Sequence, residues 1–259
     1  MGTMFIFGMG YTAGRVAAAL EARGWRVAGT GRAGTVAFDD GAAVRAALAG
    51  ASHVLSSVPP SRESGEDDVL AAYGDVLAGT PWLGYLSSTG VYGDTGGAWV
   101  DESAPVGTGR RTARSEADAK WLAMGARVLR LPGIYGPGRS ALDRVREGTA
   151  HRIDLPDQVF SRVHVEDIVA GVLAAVDAPP GAYNLADDLP ASHNAVTEEA
   201  CRLLGVAPPP LQTMDEAGLS AMARGFYAEN RRVANGKAKR VLGWRPRYPT
   251  FREGLASLV

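Results

Sequence analysis

The sequence predicts an α/β fold built on a doubly wound parallel sheet with helices on both faces. Three observations predict it. Short apolar strand-like runs alternate with helix-like runs over the first two-thirds of the chain. A glycine turn, Gly8-Met9-Gly10-Tyr11-Thr12-Ala13, joins the first strand-like run to the first helix-like run. Hydrophobic residues make up 46% of 259, enough to bury a large core.

The elements follow in order. Met4 to Phe7 is the first predicted strand, and Ala13 to Arg23 the first predicted helix, with Val16, Ala17 and Leu20 at helical spacing. Arg26 to Thr30 and Val36 to Phe38 are expected as strands two and three, the latter ending at Asp39-Asp40. A helix over 42–49 leads to strand four at Ser52 to Val58, closed by Pro59-Pro60. A helix over 67–77, strand five at Trp82 to Ser88, a helix over 114–124 and strand six at 127–131 continue the alternation. Beyond Gly136-Pro137-Gly138 the pattern loosens. Residues 139–160 hold a short helix and a loop, 165–176 a helix, Tyr183 to Leu185 a short strand, and 198–204 a helix ended by Gly205. Pro208-Pro209-Pro210 is a stiff linker before a mixed tail.

Composition excludes several classes. Lys and Arg total 27 against 28 Asp and Glu, so nothing suggests a nucleic-acid or anionic-membrane partner. The single cysteine, Cys201, cannot build a disulfide framework or a thiolate metal site, and a cytoplasmic location is expected. No run approaches the roughly eighteen apolar residues of a membrane helix, and no signal peptide is expected, since the first strand-like run comes almost at Met1 without a basic region before it. No His, Cys, Asp and Glu cluster has metal-ligand spacing.

The glycine turn carries the chemistry. Gly8 permits a tight turn, Gly10 lets the backbone approach a pyrophosphate, and Ala13 allows close packing of helix on strand. The helix N-terminus then offers free N–H groups and a positive dipole end to phosphates, with Tyr11 and Thr12 in the first turn. The turn therefore predicts a bound dinucleotide. An acidic residue ending strand two would select NAD through its ribose 2′-hydroxyl. This strand ends Gly29-Thr30-Gly31-Arg32, and an arginine with a neighbouring hydroxyl suits the 2′-phosphate of NADP. NADP is the expected cofactor, with NAD the alternative. Ligands of such sheets lie outside the carboxyl ends of the strands, so Ser57, Val58 and Pro132 are expected along the cofactor, and Asp39 on its adenine side.

Several segments resemble the extended short-chain dehydrogenase/reductase family, which includes nucleotide-sugar epimerases and dehydratases. They are Ser87-Ser88-Thr89-Gly90-Val91-Tyr92-Gly93-Asp94, Leu129 to Gly138, Val163 to Ile168, Tyr183-Asn184-Leu185 and Leu242 to Pro246, in the family's order. The Gly-x-Gly-x-x-Ala turn is similar to that of atypical members. The resemblance implies a Rossmann core over 1–136, rejoined by 161–186, and a small substrate lobe from 137–160 and 187–259. It implies a small-molecule substrate, hydride transfer, and a homodimer through the helices at 67–77 and 114–124. It places Ser88 where the family's substrate-holding Ser or Thr stands. It also exposes a departure. The family's Tyr-x-x-x-Lys pair maps onto Thr112 and Glu116, and no such pair occurs in the chain. Tyr92 is the candidate replacement acid. The expected function is an NAD(P)-dependent reductase, or secondarily an epimerase, with Arg139, Arg162 and Arg231 candidates for an anionic substrate. The alternative, which the missing pair suggests, is a non-catalytic NAD(P)-binding sensor.

Overall fold

A computed structural model describes residues 2–109 and 112–259. Strand β1 (Thr3–Phe7) feeds through the glycine turn into helix α1 (Tyr11–Glu21), whose buried face is Ala13, Val16, Ala17 and Leu20. β2 (Arg26–Gly29), α2 (Gly41–Ala49), β3 (His53–Ser56), α3 (Asp68–Leu77) and β4 (Trp82–Ser88) follow. A short pair-forming strand β5 (Trp99–Val100) precedes α4 (Thr112–Ala123), β6 (Arg127–Leu131) and β7 (Gly133–Tyr135). Then come α5 (Ala141–Arg146), β8 (Arg152–Ile153), β9 (Arg162–His164), α6 (Val165–Ala175), β10 (Gly181–Asn184) and α7 (His193–Leu204). β11 (Leu211–Gln212), α8 (Ala221–Tyr227), β12 (Arg232–Val233), α9 (Gly236–Val241) and α10 (Phe251–Ala256) complete the order.

Six strands form one parallel sheet in the order β10-β6-β4-β3-β1-β2. The strand order reverses between β1 and β3. That crevice, at the carboxyl ends of the two strands, is where an open α/β sheet binds ligands. Gly8 and Ser57 stand on its two sides, and the Ser57 hydroxyl donates to the Gly8 carbonyl at 2.6 Å.

Two apolar layers sandwich the sheet. One packs α1 and α6 against β1, β4 and β6 through residues such as Leu20, Leu129 and Ile168. The other packs α2, α3 and α4 through Val44, Tyr73 and Trp121. Trp121 stacks on Tyr85 at 5.3 Å and donates from its indole to Asp67, which also caps α3. A smaller cluster joins Tyr135, Leu142, Val196, Ala200 and Phe251 at the carboxyl side of the sheet.

Strand three is absent. Residues 31–40 fold back instead, with the Thr35 and Val36 amides donating to the Gly29 carbonyl. Gly31, at φ +102, turns the chain so that a Cβ there would meet the Met9 nitrogen at 2.7 Å. Val36 and Phe38 still pack on the α3 side of the core. Their apolar character reflects burial of a loop rather than a strand. α7 starts at His193, five residues before the expected 198, because Ser192 caps it by accepting from the Ala195 amide at 3.0 Å. Among the described residues no helix is long and apolar enough to cross a membrane, and no group of three His, Cys, Asp or Glu side chains could hold a metal.

Candidate functional site

One cavity of about 800 Å³ opens along the carboxyl ends of the strands. Gly8, Gly10, Tyr11, Thr12 and Ala13 form one wall. Ser57, Ser88 and Pro132 line its middle. It continues past Arg139 and Arg144 of the α5 region to His151, His193 and Tyr227. The structure thus gathers eight of the expected site residues on one surface.

The loop itself is shaped for phosphate. Gly8 has φ +82, and a Cβ there would meet Val58 Cγ2 at 2.9 Å and Ser57 Oγ at 3.0 Å. Gly10 precedes α1 with no side-chain cap, and a Cβ on it would face nearly open space. The amides of Tyr11, Thr12 and Ala13 are the first of the helix and have no carbonyl partner within it. Arg15, whose guanidinium lies 4.1 Å from the Tyr11 ring, and Arg139, at 5.7 Å from the same ring, flank this end. The Tyr11 hydroxyl donates to the Pro137 carbonyl at 3.1 Å, joining the turn to the segment after β7.

Four expected residues lie elsewhere. Thr30 is 1% exposed, and its hydroxyl accepts from the Gly8 amide at 3.2 Å, so it braces the loop from behind. Val58 packs under Gly8 and does not line the cavity. Arg32 is exposed beyond the end of β2, outside the cavity wall. Tyr92 is buried away from the cavity. Its hydroxyl donates to Asn184 Oδ1 at 2.8 Å and accepts from Arg130 at 3.0 Å. Desolvation raises its pKa, against the opposing pull of Arg130. The replacement-acid assignment of Tyr92 is therefore corrected: the phenol is a structural bridge. Asp39, with strand three missing, is likewise outside the cavity.

Ser88 lines the cavity. It ends β4, half-exposed, and its Oγ accepts from the Gly90 amide at 3.1 Å, capping the 3-10 turn Thr89–Tyr92. A hydroxyl that only accepts internally keeps its hydrogen for a ligand. The register of α4 differs from expectation. Thr112, Glu116 and Lys120 are all exposed. The inward positions four apart are Arg114, which lines the cavity, and Asp118, which is 0% exposed. Neither is a tyrosine or a lysine.

Asp118 anchors a buried network that sequence reasoning missed. Its carboxylate takes two bonds from Arg130, at 2.6 and 3.0 Å, and one from the Ser87 hydroxyl at 2.7 Å. The side chains are 1% and 3% exposed. Desolvation works against charge on Arg130, but its bonds to Asp118 and Tyr92 outweigh it and raise its pKa. The network ties α4, β4, β6 and β10 together through Ser87, the chain neighbour of Ser88.

The arginines sort by partner. Arg162 spends its guanidinium on the carbonyls of Phe160, Ala191 and Ser192. Arg231 pairs with Glu229 at 3.0 Å and donates to the Gly93 carbonyl. Both line the cavity as braced wall elements.

No protein-family model matches the chain. A solved structure of a functionally unknown conserved protein from Silicibacter pomeroyi DSS is 43% identical, with 100% of this chain and 98% of that chain covered and a TM-score of 0.87. This chain belongs to the same family as that protein. Its fold is that of the extended short-chain dehydrogenase/reductases. The human epimerase family protein SDR39U1 (isoform 2), described with NADPH, shares that fold at a TM-score of 0.77 and 15% identity, with 99% of this chain and 98% of that chain covered. A 3-diazoavenalumate denitrifying reductase from Streptomyces sp is 34% identical over 143 residues, 49% of this chain. The match spans 45% of that relative's length.

Proposed function

We propose that this protein is an NADP(H)-dependent reductase of a small-molecule substrate. The observation that carries the proposal is one continuous cavity running from the uncapped N-terminus of α1 past Ser88 into a region lined by α5, α7 and α8. It has room for a dinucleotide at one end and a second molecule beside Ser88. The nicotinamide cofactor supplies the hydride when bound. The chain's own groups do the rest. The first-turn amides of α1, with the dipole behind them, hold the pyrophosphate. The Ser88 hydroxyl donates to the substrate oxygen and fixes its distance from the cofactor. Water in the open cavity delivers the proton, since Tyr92 is withdrawn and Thr112 faces solvent. The Streptomyces relative is itself named as a reductase, which favours reduction over epimerisation.

Arg32 supports NADP over NAD. It is exposed beyond β2, where no acid competes, and among the described residues it makes no ion pair. Arg32→Ala should weaken NADPH binding about tenfold, the size of one charged hydrogen bond, while NADH binding changes little. Equal weakening of both in parallel fluorescence titrations would contradict the assignment.

The second reading, a non-catalytic cofactor-dependent sensor, is favoured by one observation: Arg114 and Asp118 occupy the inward positions of α4. Turnover separates the two. The reductase reading expects NADPH oxidation, followed by absorbance, with at least one member of a panel of aldehydes, ketones and unsaturated acids. Tight NADPH binding without oxidation by any of them would support the sensor.

A further inference from the structure

We propose that the far end of the cavity, around Arg144, His151, His193 and Tyr227, is a subsite for a carboxylate on the substrate. This rests on the reading of the cavity as a substrate site and names the class of molecule it takes.

The geometry is built from separate parts of the chain. Arg144 projects from α5, His151 from the loop before β8, His193 from the first turn of α7, and Tyr227 from the end of α8. The two imidazoles stack at 4.8 Å with their planes 25° apart. His151 Nε2 and the Tyr227 hydroxyl lie 3.3 Å apart. His193 Nε2 is buried with no hydrogen-bond partner among the described residues.

Charge is unbalanced here. Among the described residues Arg144 has no carboxylate within ion-pair distance. Its neighbour Asp143 is engaged by Ser140 in the α5 capping box and lies 3.9 Å from Arg146. Arg162, also felt by this cluster, donates to the backbone carbonyls of Phe160, Ala191 and Ser192, and the buried Asp187, whose own pKa burial raises, is the carboxylate that acts on it. Burial, then His151, Arg144 and Arg162, push the His193 pKa down to about 3. Burial also lowers His151 and Arg144. Both imidazoles are thus neutral at neutral pH, and among the described residues the Arg144 guanidinium makes no ion pair, with Asp143 and Glu147 acting on it only from beyond ion-pair distance.

A partly buried cation with no direct ion pair is costly, and an anion seated against it lowers that cost. One guanidinium fork matches one carboxylate in a two-point bond. The His193 and Tyr227 N–H and O–H groups supply further donors. A pyrophosphate would carry more charge than this end of the cavity balances. Phe160 and Tyr227, packed edge to face at 5.5 Å, and Phe226 give the adjoining wall an aromatic character. The substrate class that fits is an aromatic carboxylic acid.

The test uses matched probes on the full chain: 4-hydroxybenzoate, 4-hydroxybenzamide and 4-hydroxyphenyl phosphate, titrated by calorimetry. The acid is expected to bind about tenfold tighter than the amide and tighter than the phosphate. Arg144→Met should abolish the acid's advantage, and Arg144→Lys, which keeps the charge without the fork, should restore part of it. NADPH affinity, measured in parallel, should stay unchanged in both variants. Equal binding of acid and amide, tighter binding of the phosphate, no binding of the acid, or an acid preference that survives Arg144→Met would each overturn the subsite. Loss of NADPH binding in the unaltered protein would instead count against the reductase reading, because acid recognition is scored without cofactor.

Discussion

Arg130→Met is expected to lower the unfolding free energy by about 3–5 kcal/mol, the usual cost of removing one partner from a buried ion pair. Asp118 is 0% exposed, and Arg130 supplies two of the three hydrogen bonds its carboxylate accepts among the described residues. Without the guanidinium, Ser87 alone would face a buried charge. Tyr92 would also lose one of its two partners. Urea denaturation followed by circular dichroism measures the effect. A loss under about 1 kcal/mol, the range of exposed pairs, would mean the pair does not behave as buried. The double variant Arg130→Met, Asp118→Leu should recover much of the loss, because it removes both charges together.

Ser88→Ala is expected to lower kcat about a hundredfold, the scale for losing a hydrogen-bond donor to a reacting oxygen. NADPH affinity should be spared, since the pyrophosphate is held by the amides of α1. The same substitution removes the cap on the Thr89–Tyr92 turn, at a cost of about 1 kcal/mol. Ser88→Thr keeps the hydroxyl and separates the two effects: it should retain most of the turnover. An unchanged kcat in Ser88→Ala would remove Ser88 from the reaction.

The sheet and its ligand edge were legible because they depend on local pattern. Gly8, Gly10 and Ala13 declare themselves by the strand before and the helix after. Ser57 and Ser88 follow, because any residue ending a parallel strand reaches the same edge. Val36 to Phe38 misled for a physical reason. Val36 and Phe38 can half-bury in a loop packed against Tyr73 and Val44 as readily as in a strand, while Ala37 between them is exposed. α4 misled by register: with a weakly amphipathic helix, the motif alignment chose Thr112 and Glu116, while packing turned Arg114 and Asp118 inward. The one available signal was Asp118 itself, an acid flanked by Ala117 and Ala119 near Trp121 with no exposed role to play. Tyr92 looked free in the sequence because its partners, Arg130 and Asn184, come from β6 and β10. The Arg144, His151, His193 and Tyr227 cluster was invisible for the same reason. Its members lie on four segments that only the folded chain brings together.

The central claim is that the uncapped turn of α1 holds a nicotinamide dinucleotide phosphate. Equilibrium titration of the full chain with NADPH, followed by nicotinamide fluorescence, tests it most directly. The account predicts saturable binding of one NADPH per chain, lost in Gly8→Val, where a side chain would be forced to φ +82 and against Val58 and Ser57. No saturable binding to the unaltered protein, or undiminished binding to a folded Gly8→Val variant, would contradict it.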